Sequence, residues 1–203
     1  NLGNTFDATN AQNLSSETSW GQPKTTKKMI DALAASGIKT IRIPVSWAKH
    51  MDENYTIDPE WMNRVKTVVD WAIEDGMYVI LNCHHDNFSS AEGLTAGKGY
   101  YPTKKNYKIS EAFFANMWAQ IALAFNNGYD EHLIFEGQNE PRMVGTDMEW
   151  SEGNQDAYDV INAVNAAFVE TVRSSGGNNA KRHLMIPGYA AKYSDTVLQN
   201  LLI

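Results

Sequence analysis

The chain has 203 residues, 43% of them hydrophobic, a formal net charge of −7 and one cysteine. An ordinary apolar fraction argues for a folded core and against disorder, and the absence of any run of eighteen apolar residues argues against a membrane span. The acidic balance argues against nucleic-acid partners, and the lone Cys83 excludes an internal disulfide framework. No signal peptide is read at Asn1-Leu2-Gly3.

In chain order, the first few residues are expected as a strand. Residues 24–36 follow as a helix carrying Met29, Ile30 and Leu33, and residues 38–43 (Ile-Lys-Thr-Ile-Arg-Ile) form a buried strand. Asp58-Pro59-Glu60 supplies an N-cap, an N1 proline and an acid in the first turn. Over 59–75 the stripe Trp61, Val65, Val68, Ala72 has helical spacing. Strand 77–82 comes next, then helix 110–127 with Phe114, Trp118, Ile121 and Phe125, and strand 132–136. Helix 155–174 carries Ile161, Val164, Phe168 and Val172, and strand 183–187 closes the series. Gly37, Gly76, Gly128 and Gly176 stand just past helix ends, where a left-handed cap is wanted.

Strand–helix alternation predicts an α/β fold, a mainly parallel sheet covered by helices. The helix-to-strand connections are short. The strand-to-helix connections, about 44–58, 83–109 and 137–154, are long. Elaboration at the carboxyl ends of the strands is where α/β sheets and barrels build their ligand sites. No linker suggests a second domain. Gly97-Lys98-Gly99 fits no nucleotide-binding pattern, and neither G-x-S-x-G nor H-E-x-x-H occurs. His84-His85-Asp86 offers metal-ligand types, but adjacent strand residues face opposite ways, so neither metal nor cofactor is expected. Cys83 reads as a small hydrophobe on the helix-facing side.

Period two sends Arg42 inward with Thr40 and Pro44, and Asn82 and His84 inward with Tyr78 and Ile80. A buried guanidinium needs a carboxylate. A structural ion pair with a core histidine and a functional site both satisfy this pattern. In 135–142 (Phe-Glu-Gly-Gln-Asn-Glu-Pro-Arg), Glu136, Gln138 and Glu140 share a face, Pro141 ends the strand, and Gly137 permits a close approach that re-aims Asn139. An acid beside an amide at the end of a buried strand suits a general acid, because burial lets a carboxyl hold its proton.

Asn139-Glu140-Pro141, Arg42 in Arg-Ile-Pro-Val-Ser-Trp, His84-His85-Asp86 and the opening Asn1-Leu2-Gly3-Asn4-Thr5-Phe6-Asp7-Ala8 together resemble glycoside hydrolase family 5. The cellulase subfamily 4 is the nearest, and Trp20-Gly21-Gln22-Pro23 resembles its segment before the first helix. The resemblance runs along the whole chain. It implies a (β/α)8 TIM barrel, of which about five βα units lie in residues 1–203, with the three C-terminal units absent. It implies an endo-β-1,4-glucanase acting on cellulose, lichenan or xyloglucan with retention, secreted because its substrate is a polymer, and with no cofactor. In that reading Glu140 is the acid/base, Asn139 binds the sugar 2-hydroxyl, Arg42 pairs with the nucleophile carboxylate and His84 faces the reacting sugar. His85, Trp47, Asn4 and Tyr189 are further sugar contacts. Trp47 and Trp150 are open to a second reading, partial burial under loops.

The retaining nucleophile is not found in this sequence. Glu136 lies four residues from Glu140, ~13 Å along an extended strand, against the ~5–5.5 Å of retaining pairs, and reads as a structural acid near the barrel floor. The nucleophile is therefore expected outside residues 1–203, in a C-terminal portion or on a companion chain, and the chain alone is expected to be inactive. Other readings are a noncatalytic carbohydrate-binding or assembly half-barrel, and a related mannanase or xylanase. Asn13-Leu14-Ser15, Asn54-Tyr55-Thr56 and Asn87-Phe88-Ser89 match the glycosylation sequon.

Overall fold

Four parallel strands, β1 (Thr40–Ile43), β2 (Tyr78–Asn82), β3 (Leu133–Glu136) and β4 (Leu184–Met185), lie side by side in sequence order. Between and around them run α1 (Lys27–Ala35), α2 (Pro59–Glu74), α3 (Tyr107–Ala124), α4 (Gln155–Ser174) and α5 (Asp195–Gln199). The structure is a computed structural model and describes residues 1–88 and 98–202. The Gly93–Gly97 part of the glycine-rich segment rejected above as a nucleotide motif, and Ser89 of the third sequon, lie outside the described residues. No helix among the described residues is long and apolar enough to cross a membrane.

The α/β reading holds. Each apolar stripe of α2, α3 and α4 is buried, and Trp61, Trp118 and Phe168 are within 1% of complete burial. Trp118 packs its ring 5.3 Å from Phe135 of β3 and 4.5 Å from Phe168 of α4, which fastens two helices to one strand. Burial of side chains this large stabilises by about 2–3 kcal/mol each. Asp58 caps α2 as expected, its carboxylate accepting from Glu60 N–H at 2.8 Å. Met29 does not join the core; it is on the open side of α1, while Ile30 is fully buried. Gly37 and Gly76 do adopt the left-handed conformation after α1 and α2, but Gly128 does not, because α3 ends earlier, at Ala124. The 110–127 helix is thus shifted toward the N-terminus.

The expected first strand is not a strand. Its link to the sheet is a bond from Leu2 N–H to Arg42 O at 2.8 Å. Asn4 then turns to φ +60, and the Asp7 carboxylate takes Thr5 N–H at 2.8 Å, so a local turn replaces the ladder. Four strands, not five, make the sheet among the described residues. Arg42 lies opposite Ile80 in the register, one inward position below Asn82, and Asn82 lies opposite Glu136.

Candidate active site at the strand ends

Beyond Glu136 the backbone leaves strand geometry. A Cβ on Gly137 would stand 2.8 Å from the Phe168 ring, so only glycine lets the chain pass this close to α4. The turn sends Gln138 away from the sheet's inner face, where its amide donates to Asn165 Oδ1 on α4 at 2.9 Å. The shared face expected for Glu136, Gln138 and Glu140 is therefore broken. Asn139 is re-aimed inward: its N–H donates to Cys83 O at 2.8 Å, and its Oδ1 accepts from Arg42 Nη2 at 2.9 Å.

Glu140 follows with φ +40, an unfavourable conformation for any residue with a Cβ. Three successive carbonyls hold it there. Asn139 O accepts from the buried Tyr100 hydroxyl at 3.1 Å, Glu140 O from Arg142 Nη1 at 3.0 Å, and Pro141 O from Ala190 N–H at 2.8 Å. Strain retained by so many contacts fixes where one side chain points. That side chain is 43% exposed, and its Oε2 lies 3.4 Å from Arg142 Nη1. The expectation of a buried carboxyl fails here, because Glu140 is on the rim beyond the end of β3 and not within the sheet.

Arg42 is engaged inside the chain. Its Nε and Nη2 donate to the two oxygens of Glu136 at 2.7 and 2.6 Å, and Nη2 also serves Asn139. The inferred carboxylate for this guanidinium is thus Glu136, where the resemblance pointed to the nucleophile. Glu136 is the last residue of β3, so it belongs to the carboxyl end of the sheet and not to a floor.

Asp86 is buried and turned away from the histidines. Its carboxylate accepts from Trp47 N–H and Ala48 N–H, both at 2.9 Å, and from the Cys83 thiol at 3.1 Å. Burial raises its pKa, and the donors oppose that rise. Cys83 is wholly buried, as expected, with burial and the adjacent Asp86 pushing its thiol well above the ordinary range.

His84 and His85 meet edge to face at 4.4 Å. Burial pushes His84 down to about 3, with His85, Arg42 and Arg142 adding to the effect; burial also lowers His85, against the pull of Asp7. Both rings are therefore neutral at ordinary pH. Asp7, His84 and His85 each bring a donor atom within 4.8 Å of the others, the geometry of a small ligand set. Two of those residues already have partners: Asp7 Oδ1 holds Thr5 N–H, and His84 Nδ1 lies 3.0 Å from Asn82 Nδ2.

A cleft of about 420 Å³ opens beside these groups, walled in part by Trp20, His84, His85, Asn139 and Arg142. Of the residues inferred from sequence, the structure brings together Arg42, His84, His85, Asn139 and Glu140. It does not bring Trp47, Tyr189 or Asn4 to the cleft wall. Trp47 is fully buried, with Nε1 donating to Asn82 O at 2.9 Å. Tyr189 is 1% exposed, and its hydroxyl is tied to Met143 N–H and Met148 O. Side chains with no surface present none to a sugar, so Tyr189 is corrected to a structural residue and Trp47 follows its second reading, burial, rather than sugar contact. Asn4 is exposed, but among the described residues it is no part of this wall.

Trp20 and Arg142 are site residues that sequence reasoning did not single out. Trp20 lies 5.6 Å from the His85 ring. Arg142 is braced by Glu149 at 3.1 Å and lies 4.2 Å from the Trp150 ring. Its position directly after Asn-Glu-Pro and the aromatic in a polar Gly-Pro loop were the available signals. Trp150, 60% exposed, is not buried under loops.

The same architecture recurs among known proteins. Residues 3–200 match the family model for cellulase, glycosyl hydrolase family 5. Endoglucanase B of Ruminococcus albus is 52% identical over 194 residues, which cover 94% of this chain and 44% of that protein. A broad-specificity subfamily-4 endoglucanase from Ruminococcus champanellensis, solved with bound cellotriose, superimposes with a TM-score of 0.89 at 47% identity. A xyloglucan-specific endo-β-1,4-glucanase from a metagenomic library, also with cellotriose, gives 0.90 at 43% identity. The chain spans 57% of each of these two solved chains and is covered by them completely.

Proposed function

Because this chain belongs to the cellulase family, glycosyl hydrolase family 5, we propose that the protein carrying it is an endo-β-1,4-glucanase that cleaves β-1,4-linked glucan with retention. The observation that carries this reading is the over-determined turn at Asn139-Glu140-Pro141. It aims a half-exposed carboxyl past a cleft whose wall offers an amide, two neutral imidazoles, a guanidinium and an indole. Several hydrogen-bonding groups, with a single charged one among those named, and one aromatic face suit a hydroxyl-rich ligand. Relatives holding cellotriose in solved structures support a β-glucan oligosaccharide as that ligand.

In this mechanism Glu140 protonates the departing glycosidic oxygen and then accepts a proton from the attacking water. Asn139, its Oδ1 held by Arg42, keeps its Nδ2 protons for the sugar 2-hydroxyl. Arg142, its Nη1 within 3.4 Å of Oε2, holds the carboxyl in place on the rim of the cleft. The nucleophile comes from outside the described chain. Glu136 has both oxygens on Arg42, Asp86 is held by backbone amides, and Glu149 by Arg142 and Gly145 N–H. The open edges of β1 and β4 are closed by the rest of the polypeptide or by a companion chain. The protein works outside the cell, where its polymer is.

The test is hydrolysis by the protein at the length of its relatives, on carboxymethyl cellulose, lichenan, xyloglucan, mannan and xylan, with the first product anomer read by NMR. Turnover of the β-glucans with the β-anomer appearing first is expected. An α-anomer first, or preference for mannan or xylan, overturns the reading. Residues 1–203 alone should release no reducing ends, and clear turnover by them would refute an external nucleophile.

A further inference from the structure

Asn82, the last residue of β2, is completely buried and has a partner for every polar hydrogen. Val45 N–H lies 3.1 Å from Oδ1. A backbone N–H can only donate, so the oxygen of the amide faces Val45 and the nitrogen faces the site. The two Nδ2 protons then have two neighbours, Glu136 Oε1 at 3.4 Å and His84 Nδ1 at 3.0 Å. The Glu136 carboxylate, ion-paired to Arg42, accepts only. Nδ2 has no lone pair to offer a ring proton, so His84 Nδ1 must be the bare, accepting nitrogen. A neutral imidazole that accepts at Nδ1 carries its proton on Nε2.

We propose that Asn82 is a positioning residue that locks His84 as the neutral Nε2–H tautomer, so that the ring offers the cleft a hydrogen-bond donor. The backbone of β1 sets the amide, the amide sets the ring, and the ring reads an oxygen of the bound molecule. Arg42 and Arg142 reinforce the arrangement by opposing a charge on the imidazole. The same tautomer works against a metal at Asp7, His84 and His85, since a ligating nitrogen must be free of its proton. The use of the donor for a sugar oxygen rests on the glucan reading given above; the tautomer does not.

The experiment uses the protein at the length of its relatives, labelled with 15N-histidine, and long-range 1H–15N spectra recorded between pH 5 and 8. The His84 signals, identified by their loss in His84→Gln, should show a bare Nδ1 and a protonated Nε2 throughout. Asn82→Asp places an acceptor against Nδ1 and should reverse the pattern or produce an imidazolium. kcat/KM on β-glucan should then fall about 10-fold or more and acquire a new titration. A purely structural asparagine would lower Tm without moving either readout. If Asn82→Asp does not fold, Asn82→Ala should show mixed tautomers. A wild-type spectrum with the proton on Nδ1, or a variant that leaves the pattern unchanged, overturns the proposal. The expected wild-type pattern in a protein that cleaves no β-glucan supports the tautomer and overturns only the glucan reading.

Discussion

Glu136 and Glu140 are four residues apart at the end of one strand and live in opposite circumstances. Glu136 ends β3 in regular geometry, 13% exposed, both oxygens gripped by Arg42 at 2.6–2.7 Å. Glu140 is beyond the glycine turn in a left-handed backbone, 43% exposed, with one loose side-chain contact at 3.4 Å among the described residues. A carboxylate saturated with short charge-assisted bonds holds structure together. A carboxylate whose backbone is fixed while its oxygens stay lightly held is left to meet a bound molecule, which is what the proposed acid/base role requires. The fold thus strains the main chain in order to leave one side chain unencumbered.

The largest effect that can break this contrast is on rate. In the full-length protein Glu140→Gln should lower kcat/KM on glucan by about 10²–10⁴-fold, with much less loss on substrates whose leaving group needs no proton. Tm should barely change, since an exposed pair contributes little. Equal losses on activated and unactivated substrates would show that Glu140 is no acid. Glu136→Gln should do the reverse to stability. It leaves the Arg42 guanidinium half-buried without its counter-charge, at about 3 kcal/mol, read as a lower urea midpoint. A neutral result there would mean that Arg42 finds another carboxylate.

Acid should act through His50, remote from both. His50 is 2% exposed, stacked 3.6 Å from Trp61, and neither ring nitrogen has a partner among the described residues. Burial pushes it down to about 4, with Lys49 adding to this and Asp58 opposing it. The unfolded chain, near 6.5, binds the proton first, so stability is full above pH 6.5 and is lost as pH falls toward 4. The loss is on the order of 3 kcal/mol. His50→Phe should flatten that part of the stability–pH curve; an unchanged slope would put the titration elsewhere, His84 being the other histidine pushed far down. The smallest effect separates packing from sugar contact at Trp47. Trp47→Phe should cost about 1 kcal/mol for the bond to Asn82 O and leave KM unaltered, whereas a sugar platform would show in KM.

Much of this molecule is legible without coordinates. The stripes of α2, α3 and α4, the Asp58 cap, the inward set of β1 and β2 and the special role of Gly137 follow from periodicity and from what each residue type can do. So does the gathering of Arg42, His84 and Asn139 at one end of a parallel sheet. The first strand is expected because apolar residues near a terminus look like an edge strand, and it is absent because the Asn4 turn and the Asp7–Thr5 bond are decided locally by side chains. Tyr189 departs from the sequence expectation, and Trp47 stays open between two readings until the fold buries it, because an aromatic in a loop has the same sequence signature whether it lines a cleft or seals the loop beneath it.

Periodicity and residue chemistry are enough for the alternation of elements, the end of the sheet where chemistry gathers, and the residue types available there. Those follow from repeat spacing and from which groups cannot be buried alone. Which group pairs with which is settled by folding alone: Glu136 with Arg42 across 94 positions of sequence, Asn82 with His84, Arg142 with Glu140. Pairing depends on distances of a few ångströms between strands, and it is those distances that separate the pinned carboxylate from the free one.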